Sequence, residues 1–227
     1  MKETSRTTRR VKGSAPPVVE VASVSKSFRR HQVLNKVNLT VSQGEFVAVT
    51  GPSGSGKSTL LNLIGLLDTP DQGCVSLFGR PAPGINTSQA RLILRHKLGY
   101  LFQNAALIDQ DSVETNLRTA QKYSPTPTSH RAHQRQKALT TVGLGGLEQQ
   151  KVYELSGGEQ QRLALACLLT RDTELVLADE PTGSLDPHNR DTVLTLLQDL
   201  NHQGKTIIIV THDPDVASAA TRRISLE

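Results

Sequence analysis

The order of apolar and polar positions predicts alternating strands and helices. Period-two alternation indicates a strand at 16–28, and residues 33–50 indicate two more strands around a turn at 42–44. Two continuous apolar runs, at 173–180 and 205–212, are typical of strands buried in a parallel sheet. Helical periodicity separates these runs, so the pattern predicts an α/β sheet.

The clearest helical pattern lies at 187–204, with a proline suited to the first turn and a glycine suited to the stop. Further helices are predicted at 58–67 and 85–97, and short strands at 74–79 and 98–103. In the helix predicted at 187–204, the apolar positions share one face: Val193, Leu196, Leu197 and Leu200.

Residues 104–165 differ from the rest of the chain because they lack strand patterns. A Ser- and Pro-rich loop at 124–130 precedes a predicted helix at 131–144. We interpret this stretch as a helical subdomain inserted into a single domain that spans 16–227. Residues 1–15 are poor in apolar side chains and are predicted to be a disordered basic tail.

Composition and charge narrow the possible partners. The net charge is +5, and the first twelve residues, with five Lys/Arg and one Glu, contribute +4 of it. Aromatic residues make up 3% of the chain and Trp is absent, so few side chains could stack on the bases of a nucleic acid. Nucleic acid is therefore not an expected partner. A solvated tail near anionic lipid head groups is the favoured interpretation, and a nucleic-acid patch is the alternative.

Two further observations concern the compartment. No apolar run approaches the roughly 18–20 residues that span a bilayer, and the basic start is not followed by an apolar stretch. We therefore expect the chain to stay in the cytoplasm. Cys74 and Cys167 lie in apolar settings and are predicted to be buried free thiols.

A glycine-rich stretch at 51–59 reads GPSGSGKST and fits the phosphate-loop pattern G-x-x-x-x-G-K-[ST]. It follows a predicted strand and begins a predicted helix, which is the context that this motif requires. Glycines let successive backbone N–H groups point at one anion, and the helix N-terminus adds partial positive charge. Lys57 is predicted to reach the β- and γ-phosphates of a nucleotide, and Ser58 to bind Mg²⁺. The predicted binding residues are Gly51, Pro52, Ser53, Gly54, Ser55, Gly56, Lys57, Ser58 and Thr59.

A second candidate element is the apolar strand that ends in Asp179 and Glu180. Asp179 is suited to hold Mg²⁺ through water. Glu180 would then lie close to an attacking water and can act as the general base. Two buried neighbouring carboxylates repel each other, so a cation belongs to this arrangement. Together the two motifs predict a nucleotide hydrolase.

The stretch LSGGEQQR at 155–162 resembles the signature motif of the ATP-binding cassette (ABC) ATPases, and the resemblance covers nearly the whole chain after the tail. It implies a P-loop NTPase fold with an N-terminal antiparallel β subdomain, a mainly parallel β core and the inserted α-helical subdomain. In that family the signature of one subunit faces the phosphate loop of a second. Ser156, Gly157, Gly158 and Glu159 are therefore expected to contact ATP held by a second copy of the chain.

Four further positions match the family in order. Gln103 in YLFQ resembles the Q-loop glutamine, which senses the γ-phosphate and Mg²⁺. Asp186 in GSLD resembles the D-loop residue at the dimer seam, and His212 in VTHD resembles the switch histidine at the γ-phosphate. Phe28 in SKSF stands where the family usually has an aromatic that stacks on adenine. The resemblance thus implies these catalytic residues: Lys57, Gln103, Glu180 and His212.

Longer stretches, among them LADEPTGSLD, more closely resemble the ATPase subunits of lipoprotein-releasing and macrolide-exporting systems. ATPase subunits of bacteriocin-export and haem-efflux systems are similar. The resemblance implies an ATP-hydrolysing motor at the cytoplasmic face of the cell membrane. Its expected partners are a second copy of itself and transmembrane permease subunits, on separate chains, with a large external domain. An importer ATPase and a non-transport ABC ATPase remain alternatives.

Overall fold

The computed structural model describes residues 16–29 and 31–226. These residues form an antiparallel sheet, a parallel sheet and helices that pack on both faces of the parallel sheet. The predicted α/β fold is confirmed. The predicted basic tail, residues 1–15, lies outside the described residues.

The antiparallel sheet contains the strands β1 (Val19–Phe28), β2 (His31–Val41), β4 (Gln72–Leu77) and β5 (Arg80–Pro81). Their order across the sheet is β2-β1-β4-β5. Val19 in β1 pairs with Val41 on one side and with Leu77 on the other. All three side chains are buried, because period-two alternation places one face of these strands on the core. This sheet is the N-terminal antiparallel β subdomain that the family resemblance implies.

The parallel sheet contains β3 (Phe46–Thr50), β6 (Leu98–Leu101), β7 (Leu175–Asp179), β8 (Thr206–Val210) and β9 (Arg222–Ser225). Their order is β6-β7-β8-β3-β9, and every neighbouring pair is parallel. The carboxyl ends of these strands therefore meet at one edge of the sheet, which is where α/β folds bind ligands.

The helices are α1 (Lys57–Ile64), α2 (Ser88–His96), α3 (Val113–Ala120), α4 (Thr128–Thr141), α5 (Gly157–Leu169), α6 (Pro187–His202) and α7 (Pro214–Ser218). Helix α6 begins at Pro187 and is followed by Gly204 at φ +89°, as its pattern predicts. Helix α5 begins at the signature residues, with Ser156 as its N-cap.

Alternate side chains of β3 belong to two cores on opposite faces of the parallel sheet. Phe46 and Ala48 join a core formed with α3, α4, α5 and α6. Val47 and Val49 join a second core, formed with α1 and the antiparallel sheet. β3 is thus buried on both faces, which explains its unbroken apolar run.

Some sequence expectations are wrong in detail. β5, α7 and β9 are not predicted, because each is short and lacks a strong apolar period. Helix α4 begins at Thr128, inside the predicted loop, and α5 continues to Leu169, past the expected end of the helical stretch. Cys74 is exposed, because Val75 and Leu77 take the core-facing positions of β4. Cys167 is partly buried, and burial raises the pKa of its thiol to about 12.

Candidate functional site

A cavity of about 550 Å³ lies at the edge of the parallel sheet where several strands end. The phosphate loop reaches it after β3, Gln103 after β6, Glu180 after β7 and His212 after β8. Phe28 contributes from the antiparallel sheet. Five segments that carry predicted site residues therefore line one cavity, and His31 and Val33 of β2 line it as well.

Two glycines of the phosphate loop are explained by close neighbours. A β-carbon on Gly51 would collide with the carbonyl oxygen of Leu226, which follows β9. A β-carbon on Gly56 would lie 2.6 Å from the side chain of Leu34, and Gly56 has a φ of +89°, which L-residues rarely adopt. Gly56 is the N-cap of α1, so the unpaired amide groups at the start of that helix are available to a phosphate.

Lys57 is 8% exposed and lines the cavity. Its Nζ donates hydrogen bonds to the carbonyl oxygens of Gly51 at 2.9 Å and Pro52 at 2.8 Å. The phosphate loop therefore wraps around the ammonium group of Lys57. Because an ammonium has three donors, one remains for a phosphate oxygen.

Ser58 and Asp179, both predicted Mg²⁺ ligands, contact each other. Ser58 Oγ donates to Asp179 Oδ1 at 2.9 Å. Burial raises the pKa of the Asp179 carboxyl, the bond from Ser58 lowers it, and the neighbouring Glu180 carboxylate adds to the rise, so that the net shift is upward. The hydroxyl and carboxylate oxygens fit a hard divalent cation, which would relieve this unfavourable burial of charge.

The described residues contain no group of three or more His, Cys, Asp or Glu side chains that could hold a metal. A cation at Ser58 and Asp179 would therefore be bound by few protein oxygens together with substrate phosphates and water. Mg²⁺ usually binds proteins in this way.

Glu180 and His212 form a hydrogen-bonded pair. His212 Nδ1 lies 2.9 Å from Glu180 Oε1, and since a carboxylate can only accept, Nδ1 carries the proton. The opposite ring nitrogen of the exposed His212 is left for a ligand. Glu180 has a φ of +45°, and its amide donates to the carbonyl of Val210 at 3.0 Å. An uncommon backbone conformation at a predicted catalytic residue is consistent with a functional site.

Phe28 is 49% exposed at the end of β1 and lines the cavity, so it is not a core residue. The Nζ of Lys26 lies 5.4 Å from the centre of its ring. Lys26 is itself held by Asp68 at 2.8 Å and by the carbonyl of Thr69 at 2.7 Å. His31, which sequence reasoning missed, lines the same cavity.

The signature residues form a separate site at the start of α5. The hydroxyl and the amide of Ser156 donate to Glu159 Oε2 at 2.7 and 2.8 Å, and these bonds lower the pKa of the Glu159 carboxyl. Ser156 and Gly157 are exposed, and a β-carbon on Gly157 would meet no described atom within 4 Å. Of the described residues that line the 550 Å³ cavity, none belongs to the signature, and Asp186 does not line it either.

Three residues that connect the motifs were missed by sequence reasoning. Arg162 Nη1 donates to Asn189 Oδ1, and Asn189 Nδ2 donates to Asp186 Oδ2 at 2.5 Å. Gln161 donates to the backbone that carries Gln103. Helical spacing from Gly158 places Gln161 on the buried face of α5, which is a usable signal, whereas nothing in the sequence indicates Asn189.

A phosphate loop, Glu180 and His212 around one cavity, with Asp179 bonded to Ser58 of that loop, define a P-loop nucleotide hydrolase. The model of the ABC transporter family matches residues 34–183, which is more than half of the chain. The chain belongs to this family of ATP-hydrolysing cassettes.

Relatives and solved structures agree with this assignment. The macrolide export ATP-binding/permease protein MacB of Azoarcus sp. (strain BH72) is 37% identical over 94% of this chain, and the pyoverdine export ATP-binding/permease protein PvdT of Pseudomonas putida is 37% identical over 93%. The chain spans 33% of the length of each of these two relatives. The dimeric post-hydrolysis structure of the ATP-binding cassette MJ0796 bound to ADP and Pi has a TM-score of 0.84 and 34% identity, covering 92% of this chain and 94% of that one.

Proposed function

We propose that two copies of this chain bind two ATP molecules at a shared interface and drive an exporter in the membrane. The observation that carries the proposal is the separation of two anion-binding elements within one copy. Lys57 lines the nucleotide cavity, whereas Ser156 is exposed at a different helix N-terminus. A second copy places its Ser156 against the γ-phosphate bound at Lys57, and Asp186 then lies at the seam. The MJ0796 cassette, which was solved as a dimer, supports this arrangement.

The chemistry follows from the residues of the cavity. Lys57 and the first amide groups of α1 bind the β- and γ-phosphates, and Phe28 stacks on the adenine. Mg²⁺, held by Ser58, Asp179 and Gln103, supplies positive charge to the phosphates. Glu180 accepts a proton from the attacking water as the bond between the γ-phosphorus and ADP breaks.

His212 supports the same step from the other side of Glu180. Its Nδ1–H holds the Glu180 carboxylate, and the opposite ring nitrogen donates to the γ-phosphate when the ring carries a second proton. Gln103 follows β6 and lines the cavity, so it would contact the γ-phosphate and a bound Mg²⁺ from the side of the helical stretch.

The shared site is tested with Glu180→Gln, which keeps the shape of the side chain and removes the base. Turnover should fall by about 10²-fold or more while ATP still binds. Size-exclusion chromatography should then show a dimer with ATP and a monomer without it.

Adding Ser156→Arg to Glu180→Gln provides the matched control. It should abolish the dimer and leave ATP binding to the monomer, because Lys57 and its loop are unchanged. If Ser156→Arg alters neither dimer formation nor turnover, in the isolated chain and in the membrane complex, the shared-site proposal is wrong.

The transport partner is proposed to be a permease of the macrolide-export type, on a separate chain with a large external domain, which holds the ATPase at the cytoplasmic face. Two relatives carry "export" and "permease" in their names, which supports this direction of transport. Ile108 and Tyr123 are exposed apolar side chains beside two adjoining cavities of about 210 and 270 Å³, and this surface suits a permease helix. Within the described residues, no helix has the length and apolarity needed to cross a bilayer.

Purification from native membranes tests the partner. A co-purifying permease with few spans and a large external domain supports export. A many-span importer permease, or ribosomes or DNA, would favour one of the two alternatives.

A further inference from the structure

Gln161 connects the helix that carries the signature to the loop that carries Gln103. It lies on α5, is 3% exposed, and is one turn beyond the signature glycines. Its Nε2 donates to the carbonyl oxygen of Phe102 at 3.0 Å and to that of Gln103 at 2.9 Å. Both amide hydrogens therefore bind the backbone directly at Gln103.

The orientation of this amide follows from its partners. Turning the Gln161 amide by 180° would place its oxygen against two carbonyl oxygens, so Nε2 must face the loop. Gln161 Oε1 is buried and has no hydrogen-bond partner within the described part of the chain. The contribution of Gln161 thus comes from its two donors.

The loop held by Gln161 lies between the two anion-binding elements. The side chain of Gln103 lines the nucleotide cavity, and it also lines a second cavity of about 380 Å³ together with Gly157 of the signature. A shift of α5 relative to the parallel sheet would therefore reach Gln103 through a partly buried pair of hydrogen bonds.

We propose that Gln161 is a positioning residue that holds Gln103 at the γ-phosphate and links its placement to that of Ser156. The inference rests on the proposed role of Gln103. Gln161 acts through the backbone of Gln103 and touches neither the nucleotide nor the metal. Losing it should lower the rate of hydrolysis without weakening ATP binding, because Lys57 and its loop stay in place.

The chain provides a matched control one position earlier. Gln160 Nε2 also donates to two carbonyl oxygens, those of Val152 at 3.2 Å and Leu155 at 3.1 Å. These carbonyls lie just before Ser156, at the first residue of the signature and three residues earlier, and not in the Gln103 loop. Equivalent substitutions at the two positions remove the same kind of bond from different partners.

The experiment compares Gln161→Met, Gln161→Glu and Gln160→Met in the full chain, or in its permease complex if turnover requires one. Both Gln161 variants should lower kcat by about 10- to 100-fold, the usual effect of displacing a catalytic group, with the Kd for ATP within about threefold of the parent. Gln160→Met should lower kcat by less than either Gln161 variant, because its bonds do not reach the Gln103 loop. Melting temperatures identify any variant that fails to fold, and Gln161→Asn, which keeps an amide but is one methylene too short to reach both loop carbonyls, keeps the test valid if either Gln161 variant does so.

A double-mutant cycle with Gln103→Ala separates this inference from the proposed function. If Gln161 acts through Gln103, Gln161→Met should change kcat by less than about threefold in the Gln103→Ala background. If the two substitutions lower kcat independently, so that their fold-changes multiply in the double variant, the inference is wrong. Equal losses of kcat in the Gln160 and Gln161 variants would also overturn it. A Gln103→Ala variant with full activity would instead contradict the proposed role of Gln103.

Discussion

The side chain of Asn189 lies directly against the backbone of Gly158. A β-carbon on Gly158 would be 2.5 Å from the Cγ of Asn189, a distance that real β-carbons essentially never show. Asn189 cannot easily move away, because it also contacts Arg162 and Asp186. The second glycine of the signature thus has a packing role at the contact between α5 and α6.

Gly158→Ala should therefore destabilise the protein, although alanine is normally the better helix former. We expect a loss of about 1–3 kcal/mol, typical of overpacking a well-packed contact, measured by urea unfolding. Gly157→Ala is the control. It adds the same methyl group where no described atom lies within 4 Å, so stability should be unchanged or slightly higher. Equal losses in both variants would contradict the packing role.

Removing the charge of Lys57 should weaken nucleotide binding. Lys57→Met keeps the buried stem and removes the ammonium group, which binds the loop carbonyls and is proposed to bind a phosphate. ATP affinity should fall at least tenfold, about 1.4 kcal/mol, for one charge-assisted contact. Titration with a fluorescent ATP analogue measures this, and Lys205→Met, whose parent lysine pairs with Asp172 at 3.1 Å, is the control. An affinity within threefold of the parent would rule out the predicted contact.

Removing the ring of Phe28 should weaken ATP binding with little effect on stability, because the ring is half exposed. Phe28→Ala should cost about 1–3 kcal/mol of binding free energy, the range for one base stacked on an aromatic ring, and Phe28→Tyr should be tolerated. The control is Phe78→Ala, since Phe78 also has a lysine, Lys97, 4.6 Å from its ring. A binding defect of the same size in Phe78→Ala would mean that Phe28 does not stack on the base.

Asp179→Asn should stabilise the metal-free protein and abolish its hydrolytic activity. The pKa of Asp179 is raised in the folded state, so folding binds more protons in the window between the unfolded and folded pKa values. The parent therefore loses stability as pH rises through that window, and the destabilisation is complete once the pH exceeds the folded pKa. Asp179→Asn removes this destabilisation. Each 1 kcal/mol gained in the free energy of unfolding raises Tm by about 2–4 °C.

The pH dependence provides the check on Asp179→Asn. In EDTA, the gain in stability of Asp179→Asn over the parent should shrink as the pH falls, because the Asp179 carboxyl of the parent becomes protonated. Asp172→Asn, the same substitution at an exposed position, is the control. If Asp179→Asn is less stable than the parent at pH 7, the Asp179 carboxylate does not destabilise the metal-free fold.

Local motifs predicted the phosphate loop and Glu180, and the family resemblance added Gln103, His212 and Phe28, whereas His31 of the same cavity was missed. Most of these residues follow a strand whose apolar run is visible in the sequence. Glu180 and His212 are examples, since the parallel sheet brings the ends of β7 and β8 together. Asn189 and Gln161 were missed because their roles depend on contacts between α5, α6 and the Gln103 loop, which no local pattern encodes. Cys74 was misjudged because its apolar neighbours, and not Cys74 itself, occupy the core-facing positions of β4.

The position of β3 between β8 and β9 has a consequence for biogenesis. Thr50, at the base of the phosphate loop, bonds to Ile224 across 174 residues of sequence, and its carbonyl accepts from the amide of Leu226 at 2.8 Å. At about 5–20 residues per second, a ribosome needs on the order of 10–30 s to synthesise that interval. During this time the nascent loop lacks its neighbouring strands, so competence to bind ATP is acquired late in translation, after β9 has emerged.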